Sequence, residues 1–193
     1  MQSTESNLQL RLWTVEDYHR MAEAGIFEPG ERVELLEGKI IWMIAKGTAH
    51  RSALGITDHL LKNRLRGLAW VAIQDPVKLN DRSEPEPDIA VLKIDPLNYA
   101  DHHPTPSEVY LIIEVADSSL KFDTEIKAEA YAKAGIKDYW VLDVVNRELW
   151  MFRNPTPTGY ENKVILSEQE IVSPLDFPDL QILISDMLPP HLP

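Results

Sequence analysis

The chain has 193 residues, of which 44% are hydrophobic, so it can form one substantial core but is short for two domains. It contains no cysteine, which excludes disulfides, thiolate metal sites and cysteine nucleophiles. Its net charge of −12 disfavours nucleic-acid binding, unless basic residues gather on one face or bound cations mask the acidic groups.

The start of the chain has no basic residues followed by a long apolar run, so a signal peptide is not predicted. No apolar segment approaches the roughly 20 residues that a membrane-spanning helix needs. We therefore expect a soluble, cytoplasmic protein without membrane contact. Residues 1–11 are predicted to be a flexible N-terminus, and residues 12–188 are predicted to form one domain.

The first half of the chain predicts two helices separated by a hairpin. Thr14 is a candidate N-cap of a helix that Gly25 ends. Residues 32–43 indicate two short strands, and residues 48–65 carry leucines at helical spacing. Beyond them, strands are predicted over residues 70–79, 86–92, 109–115, 137–145, 147–153 and 160–166.

The second half of the chain predicts the centre of a sheet and a third helix. Residues 109–115 form the most apolar run, which is typical of a strand buried on both faces. Asp123 is a candidate N-cap of a helix that ends near Ala134, with Gly135 as its C′ residue. Because predicted strands and helices are interspersed along the chain, we expect an α/β fold with a mixed β-sheet flanked by helices and with additional hairpins.

Two acidic residues lie where they could bind a metal ion. Asp88 is within or near the start of a short strand, and Glu114 is at the C-terminal end of the most apolar strand. A carboxylate near a buried strand is costly unless it is paired, protonated or bound to a cation. If the two strands are neighbours, these carboxylates would form a pocket of hard oxygen ligands that suits Mg²⁺ or Mn²⁺.

Lys127 completes this constellation, because its amine could position an attacking water and stabilise negative charge on a phosphate. A purely structural role for Glu114 and Lys127 is the alternative. Glu114 could simply meet solvent at the strand end, and Lys127 could pair with Glu114 or with Asp123, four residues earlier on the same helix.

At these residues the chain resembles the bacterial family of Uma-type restriction-endonuclease-like proteins, members of the PD-(D/E)XK nuclease superfamily. The resemblance covers roughly residues 12 to 185. It is carried by VELLEGKI at 33–40, by His50, by EPDIAVL at 86–92 and by IEVADSSLKFDTEIKAEAYAKAGIKDYWVLD at 113–143. It implies a restriction-endonuclease-like core, a Mg²⁺-dependent (or Mn²⁺-dependent) endonuclease activity on DNA, and a homodimer.

The resemblance also implies roles for individual residues. Asp88 and Glu114 would be metal ligands, and Glu34 would be the further acidic residue that the N-terminal region of such nucleases supplies. The superfamily motif has its lysine two residues after the acidic residue, where this chain has Ala116. The lysine of this chain therefore moves to the following helix, at Lys127.

Further residues have weaker indications. The resemblance makes His50 a candidate for supporting a ligand or touching substrate. Asp123 could orient Lys127, Tyr131 could contact substrate one helical turn after Lys127, and Gln74 could reach the site from the strand beside Asp88. A polar, proline-rich loop is predicted over residues 95–107, and its histidines, His102 and His103, are given no role.

Two functions remain open at this level. The first is a metal-dependent endonuclease that uses Asp88, Glu114, Lys127 and Glu34. The alternative is a catalytically inactive binding or scaffold module that keeps the nuclease fold, which the charge of −12 and the displaced lysine favour.

Overall fold

The computed structural model describes residues 10–43 and 45–191. Most of the segment predicted to be a flexible N-terminus, residues 1–9, lies outside this range, and the domain limits stay a prediction. No helix within the two described ranges is long and apolar enough to cross a membrane.

The elements follow in an α/β order. The helices are α1 (Val15–Glu23), α2 (Thr48–Arg64) and α3 (Ala128–Lys133), the last of which continues a π-helical turn at Phe122–Lys127. The strands are β1 (Val33–Leu36), β2 (Lys39–Trp42), β3 (Trp70–Ile73), β4 (Ile89–Leu92), β5 (Val109–Ala116), β6 (Asp138–Asp143), β7 (Glu148–Thr156), β8 (Gly159–Ser167), β9 (Ile171–Val172) and β10 (Ile182–Leu183).

The main sheet has six strands in the order β3-β4-β5-β6-β7-β8. Only the pair β5 and β6 is parallel, and the intervening chain crosses over one face as the π-helical turn and α3. Two small antiparallel hairpins, β1 with β2 and β9 with β10, lie beside it. The mixed sheet flanked by helices and the additional hairpins are therefore confirmed.

The local signals at the N-terminus also act as predicted. Thr14 caps α1. Its side chain accepts a hydrogen bond from the Asp17 amide, and the Asp17 carboxylate accepts one from the Thr14 amide. The turn between β1 and β2 has positive φ at both Glu37 and Gly38, which is the geometry of a tight two-residue hairpin.

Strand β5 is the centre of the fold, and its two faces bury different clusters. Leu111, Ile113 and Val115 pack in the cluster that includes Leu61 and Leu65 of α2. Ile112 and Ala116 pack in the cluster that includes Tyr131 of α3. Because side chains alternate along a strand, Glu114 lies between Ile112 and Ala116 on the face toward α3.

The prediction that Asp123 caps the third helix was wrong. The helical segment begins at residue 120, and Asp123 lies inside the π-helical turn. Its amide donates to the Ser119 carbonyl, and its carboxylate accepts a hydrogen bond from the Ser119 hydroxyl at 2.5 Å. An Asp before an amphipathic segment favours helix capping. Here the helix starts three residues earlier, so Asp123 lies within the helix and is buried. Gly135 ends the helix with φ of 83°, as predicted.

Strands β3 and β4 are shorter than predicted. The strand predicted over residues 70–79 stops at Ile73, before Pro76, and the strand predicted over residues 86–92 begins only at Ile89. Asp88 therefore lies just before β4 rather than within it, and its side chain is close to the end of the sheet.

Candidate active site

The sheet register brings Asp88 and Glu114 together. Ile89 of β4 lies opposite Ile113 of β5 in an antiparallel pair, so one step further along the register Asp88 faces Glu114. The Asp88 amide lies 3.3 Å from Oε2 of Glu114, and the Val115 amide donates to Oδ2 of Asp88 at 2.9 Å. Both carboxylates are buried, with 5% and 3% of each residue exposed.

Polar groups from three segments surround the Asp88 carboxylate. Its Oδ1 accepts hydrogen bonds from Nζ of Lys46 at 2.7 Å and from Nε2 of Gln74 at 3.2 Å. Its Oδ2 lies 2.9 Å from Nε2 of His50. Burial would raise the pKa of Asp88, but His50 and Lys46 hold that pKa well below its usual range. Asp88 is therefore ionised at neutral pH.

Glu114 is in a different environment, on the side of the sheet that α3 covers. Its Oε1 accepts hydrogen bonds from Nζ of Lys127 and from the hydroxyl of Tyr131, both at 2.9 Å. Burial, helped by the neighbouring carboxylates of Asp88, Asp123 and Glu34, raises the pKa of Glu114 to about 8, although Lys127 opposes the rise. Without a cation, this carboxyl group holds a proton at neutral pH.

Lys127 joins Glu114 to Glu34 of β1. Its Nζ lies 3.2 Å from Oε2 of Glu34, an atom that also accepts a hydrogen bond from the Glu86 amide. Burial would lower the pKa of Lys127, but the surrounding carboxylates raise it above its usual value. Lys127 is therefore an ammonium ion, which can stabilise negative charge but cannot accept a proton.

The π-helical turn places Lys127 at this point. Position 116, where the superfamily motif has lysine, is filled by an alanine that is 1% exposed and packs beneath α3. Lys127 reaches Glu114 from the helix instead, and Tyr131 reaches the same oxygen from the following turn. Wide turns of this type frequently occur at functional sites.

Asp123 contributes charge rather than a direct contact with Lys127. It is 4% exposed, and burial raises its pKa to about 6 while Lys127 and the Ser119 hydroxyl oppose the rise. The alternative in which Lys127 pairs with Asp123 does not describe the geometry, since its ammonium lies against Glu114 and Glu34.

The donor set fits a divalent cation. Two ammonium groups, of Lys46 and Lys127, face more carboxylates than they can neutralise. The buried carboxylates are those of Glu34, Asp88, Glu114 and Asp123. If all four are ionised, the cluster has a net charge of −2, which one divalent ion would balance. Asp88 and Glu114 would hold it, because hard oxygen ligands are those that Mg²⁺ and Mn²⁺ prefer.

A cavity of about 210 Å³ opens at these carboxylates. This volume holds several water molecules, each of which takes roughly 30 Å³. It therefore suits an ion such as Mg²⁺, which keeps several waters and binds one or two carboxylates. The walls include these four buried acidic residues, two further acidic residues, Glu86 and Asp117, and also His50, Lys46, Ser118, Ser119 and Phe122.

The structure thus brings together every residue that the sequence singled out for this site: Glu34, His50, Gln74, Asp88, Glu114, Asp123, Lys127 and Tyr131. Lys46 was missed. It lies in the segment before α2, where no periodic pattern applies, and only its position next to the helix that carries His50 could have indicated it.

Comparisons with known proteins agree with the fold. A family model described as "Uma2: Putative restriction endonuclease" matches residues 15–185. The fold is similar to a crystal structure from Anabaena variabilis ATCC 29413 described as a "putative nuclease belonging to DUF820". The TM-score is 0.69 at 16% identity, and the match covers 90% of this chain and 96% of that chain. The comparison with curated proteins found no match.

Proposed function

The chain belongs to the Uma2 family, described as "Putative restriction endonuclease", and from this premise we propose that it hydrolyses phosphodiester bonds of DNA with Mg²⁺ or Mn²⁺. The observation that carries the proposal is the buried pair of Asp88 and Glu114, with the Lys127 ammonium 2.9 Å from Glu114. Structural clusters rarely keep so many unbalanced carboxylates beside an open cavity, because each costs free energy when it is buried.

A divalent ion between Asp88 and Glu114 would activate a water molecule and neutralise charge on the scissile phosphate. The chain's own residues supply the remaining requirements. His50, Gln74 and the Val115 amide fix the Asp88 carboxylate, and Tyr131 fixes that of Glu114. Both ligands are therefore preorganised, which reduces the reorganisation needed during the reaction.

Lys127 is the residue suited to stabilise the transition state. Its ammonium is held by Glu114 and Glu34 at the cavity wall, so it can face the negative charge that develops on phosphoryl oxygens. Because this lysine keeps its proton, we assign it an electrostatic role rather than that of a general base. Glu34 positions the lysine and adds a third carboxylate within reach of the cation.

The proposal is tested by incubating plasmid DNA with the purified full-length chain and Mg²⁺ or Mn²⁺. Nicking or cleavage should occur with the wild type and disappear in Asp88→Asn and Lys127→Met. Two exposed residues supply matched controls, Asp81→Asn and Lys137→Met, which should keep full activity. Cleavage that persists in both site variants would remove these residues from the mechanism.

The inactive binding module is a second candidate, because the charge of −12 repels DNA away from the cavity. Under this alternative, the wild type would not cleave DNA, and neither Mg²⁺ nor Mn²⁺ would raise its melting temperature. The homodimer also stays a prediction, which the mass of the chain in solution would check.

A further inference from the structure

A second group of potential metal ligands lies apart from the cavity. His19 is on α1, Glu84 is in the segment that leads to β4, and His103 is in the loop between β4 and β5. One side-chain atom from each lies within 4.8 Å of the other two. The sequence separation of these residues is large, so the cluster exists only because the fold brings three segments together.

Glu84 is the unusual member of this group. Its side chain is only 2% exposed, and one oxygen, Oε1, lies 2.5 Å from Nε2 of His19. The other oxygen, Oε2, is buried and has no hydrogen-bond partner among the described residues. A buried carboxylate oxygen without a partner destabilises the fold, so this oxygen is available to bind a ligand.

The backbone holds Glu84 in this position. Its amide donates to the Leu35 carbonyl at 2.8 Å, so the backbone of this residue is fixed beside β1. The flanking segments are anchored as well. The Val15 amide of α1 donates to the Asp81 carbonyl, and the Pro104 carbonyl, next to His103, accepts from the Lys78 amide.

A simple ion pair between His19 and Glu84 does not account for the whole cluster. The ion pair involves only Oε1 of Glu84. It gives Oε2 no partner and does not involve His103. The ring of His103 nevertheless lies 5.9 Å from that of His19. A cation between the three side chains would use both imidazoles and the carboxylate.

We infer that His19, Glu84 and His103 form a site for a divalent transition-metal ion, with Zn²⁺ the best match. Two imidazole nitrogens and a carboxylate are typical zinc ligands, whereas Mg²⁺ avoids nitrogen, and binding through both carboxylate oxygens gives Oε2 of Glu84 its partner. Ligand atoms around tetrahedral Zn²⁺ lie roughly 3.3 Å apart, given bonds of about 2.0–2.1 Å. The half-exposed His19 must therefore move away from Glu84, from which it is now 2.5 Å, and the exposed His103 must adjust to the same spacing while the buried Glu84 stays fixed. A water would fill the fourth position.

The ion would act as a structural clip. It would connect α1 and the loop between β4 and β5 to the segment that pairs with β1. That segment also supports the nuclease site, because the Glu86 amide donates to Glu34. Zn²⁺ at this site would therefore stabilise the fold around Glu34 without taking part in the proposed hydrolysis, so the inference does not depend on the proposed function.

The test uses the chelator-treated full-length chain and measures Zn²⁺ binding by calorimetry together with the melting temperature. The wild type should bind one Zn²⁺ at this site and melt at a higher temperature. His103→Ala should weaken binding tenfold or more without unfolding the protein, because this side chain is exposed. His102→Ala, in the same exposed loop, is the matched control and should bind as the wild type does.

Two further measurements separate this site from the cavity of Asp88. Asp88→Asn should keep the binding that His103→Ala weakens. Co²⁺ in place of Zn²⁺ should give the visible absorption of a tetrahedral nitrogen- and oxygen-ligated ion, and His19→Gln should remove it. The inference is overturned if the wild type binds no Zn²⁺, or if His103→Ala and His19→Gln bind it as tightly as the wild type.

Discussion

Replacing Glu114 by glutamine should abolish the stabilisation of the protein by Mg²⁺ and leave the metal-free protein nearly unchanged. Glutamine keeps the shape of glutamate, and its Oε1 can still accept hydrogen bonds from Lys127 and Tyr131, but its Nε2 cannot accept the long bond of 3.3 Å from the Asp88 amide. In the metal-free wild type, the raised pKa of Glu114, about 8, means that this group is already neutral at pH 7. The amide therefore lowers the free energy of unfolding by only about 1 kcal/mol, the lower end for a buried donor that loses its acceptor, here the Asp88 amide.

The loss of the metal response should be much larger than this change. A cation that binds only the folded state contributes about 2.7 kcal/mol at a concentration one hundred times its Kd. For a chain of this length, each kcal/mol shifts the melting temperature by roughly 2–4 °C, so wild-type protein should gain about 5–11 °C. The variant loses one of two ligands and one negative charge, and should gain little at the same Mg²⁺ concentration.

The assay is a thermal melt in chelator, repeated across a Mg²⁺ titration at pH 7. Glu161→Gln is the matched control, because Glu161 is an exposed carboxylate on β8, and it should respond to Mg²⁺ as the wild type does. The reasoning is refuted if Glu114→Gln keeps the full wild-type shift, or if the metal-free variant is several kcal/mol less stable.

Three other substitutions test individual contacts. Lys127→Met should destabilise the metal-free protein by about 3 kcal/mol in urea unfolding, the lower end for a broken buried pair, because Glu34 loses its ammonium partner whereas Glu114 is already neutral. Tyr131→Phe removes one hydrogen bond to Glu114 and should cost about 1–3 kcal/mol by the same method while the DNA cleavage rate falls. Asp138→Ala removes the buried acceptor of Arg153 and should cost about 3–5 kcal/mol, yet the melting-temperature shift with Mg²⁺ should match that of the wild type.

The fold was largely predictable because its local signals agree with one another. The apolar run at residues 109–115 predicted the central buried strand, and the capping residue Thr14 and the glycine at 135 marked helix ends correctly. The error at Asp123 has a physical reason. Capping propensity is a local preference, whereas the helical segment begins at residue 120, so Asp123 lies inside it and its amide bonds the Ser119 carbonyl.

The site was predictable in part. The sequence predicted strands close to both carboxylates, but the register between β4 and β5, which brings Asp88 to Glu114, is seen only in the structure. The spacing along the chain left open whether Lys127 pairs with Glu114 or with Asp123. The family resemblance favoured a role for Lys127 at the metal site. Lys46 lies in an irregular segment, where neither pattern nor resemblance applies.

The cluster of His19, Glu84 and His103 could not be predicted from the sequence. His19 and Glu84 are 65 residues apart, and no motif joins them. Both histidines have ordinary solvated interpretations when they are taken singly. Only the folded chain shows that a buried carboxylate lies against one imidazole and beside the other.

The central claim is that Asp88 and Glu114 bind one divalent cation, and diffraction from crystals soaked in Mn²⁺ tests it most directly. We predict an anomalous peak between the two carboxylates, within about 2.2 Å of an oxygen of each, and its loss in Glu114→Gln crystals treated in the same way. A wild-type map without anomalous signal at this position, from crystals whose cavity is open to solvent, would contradict the account.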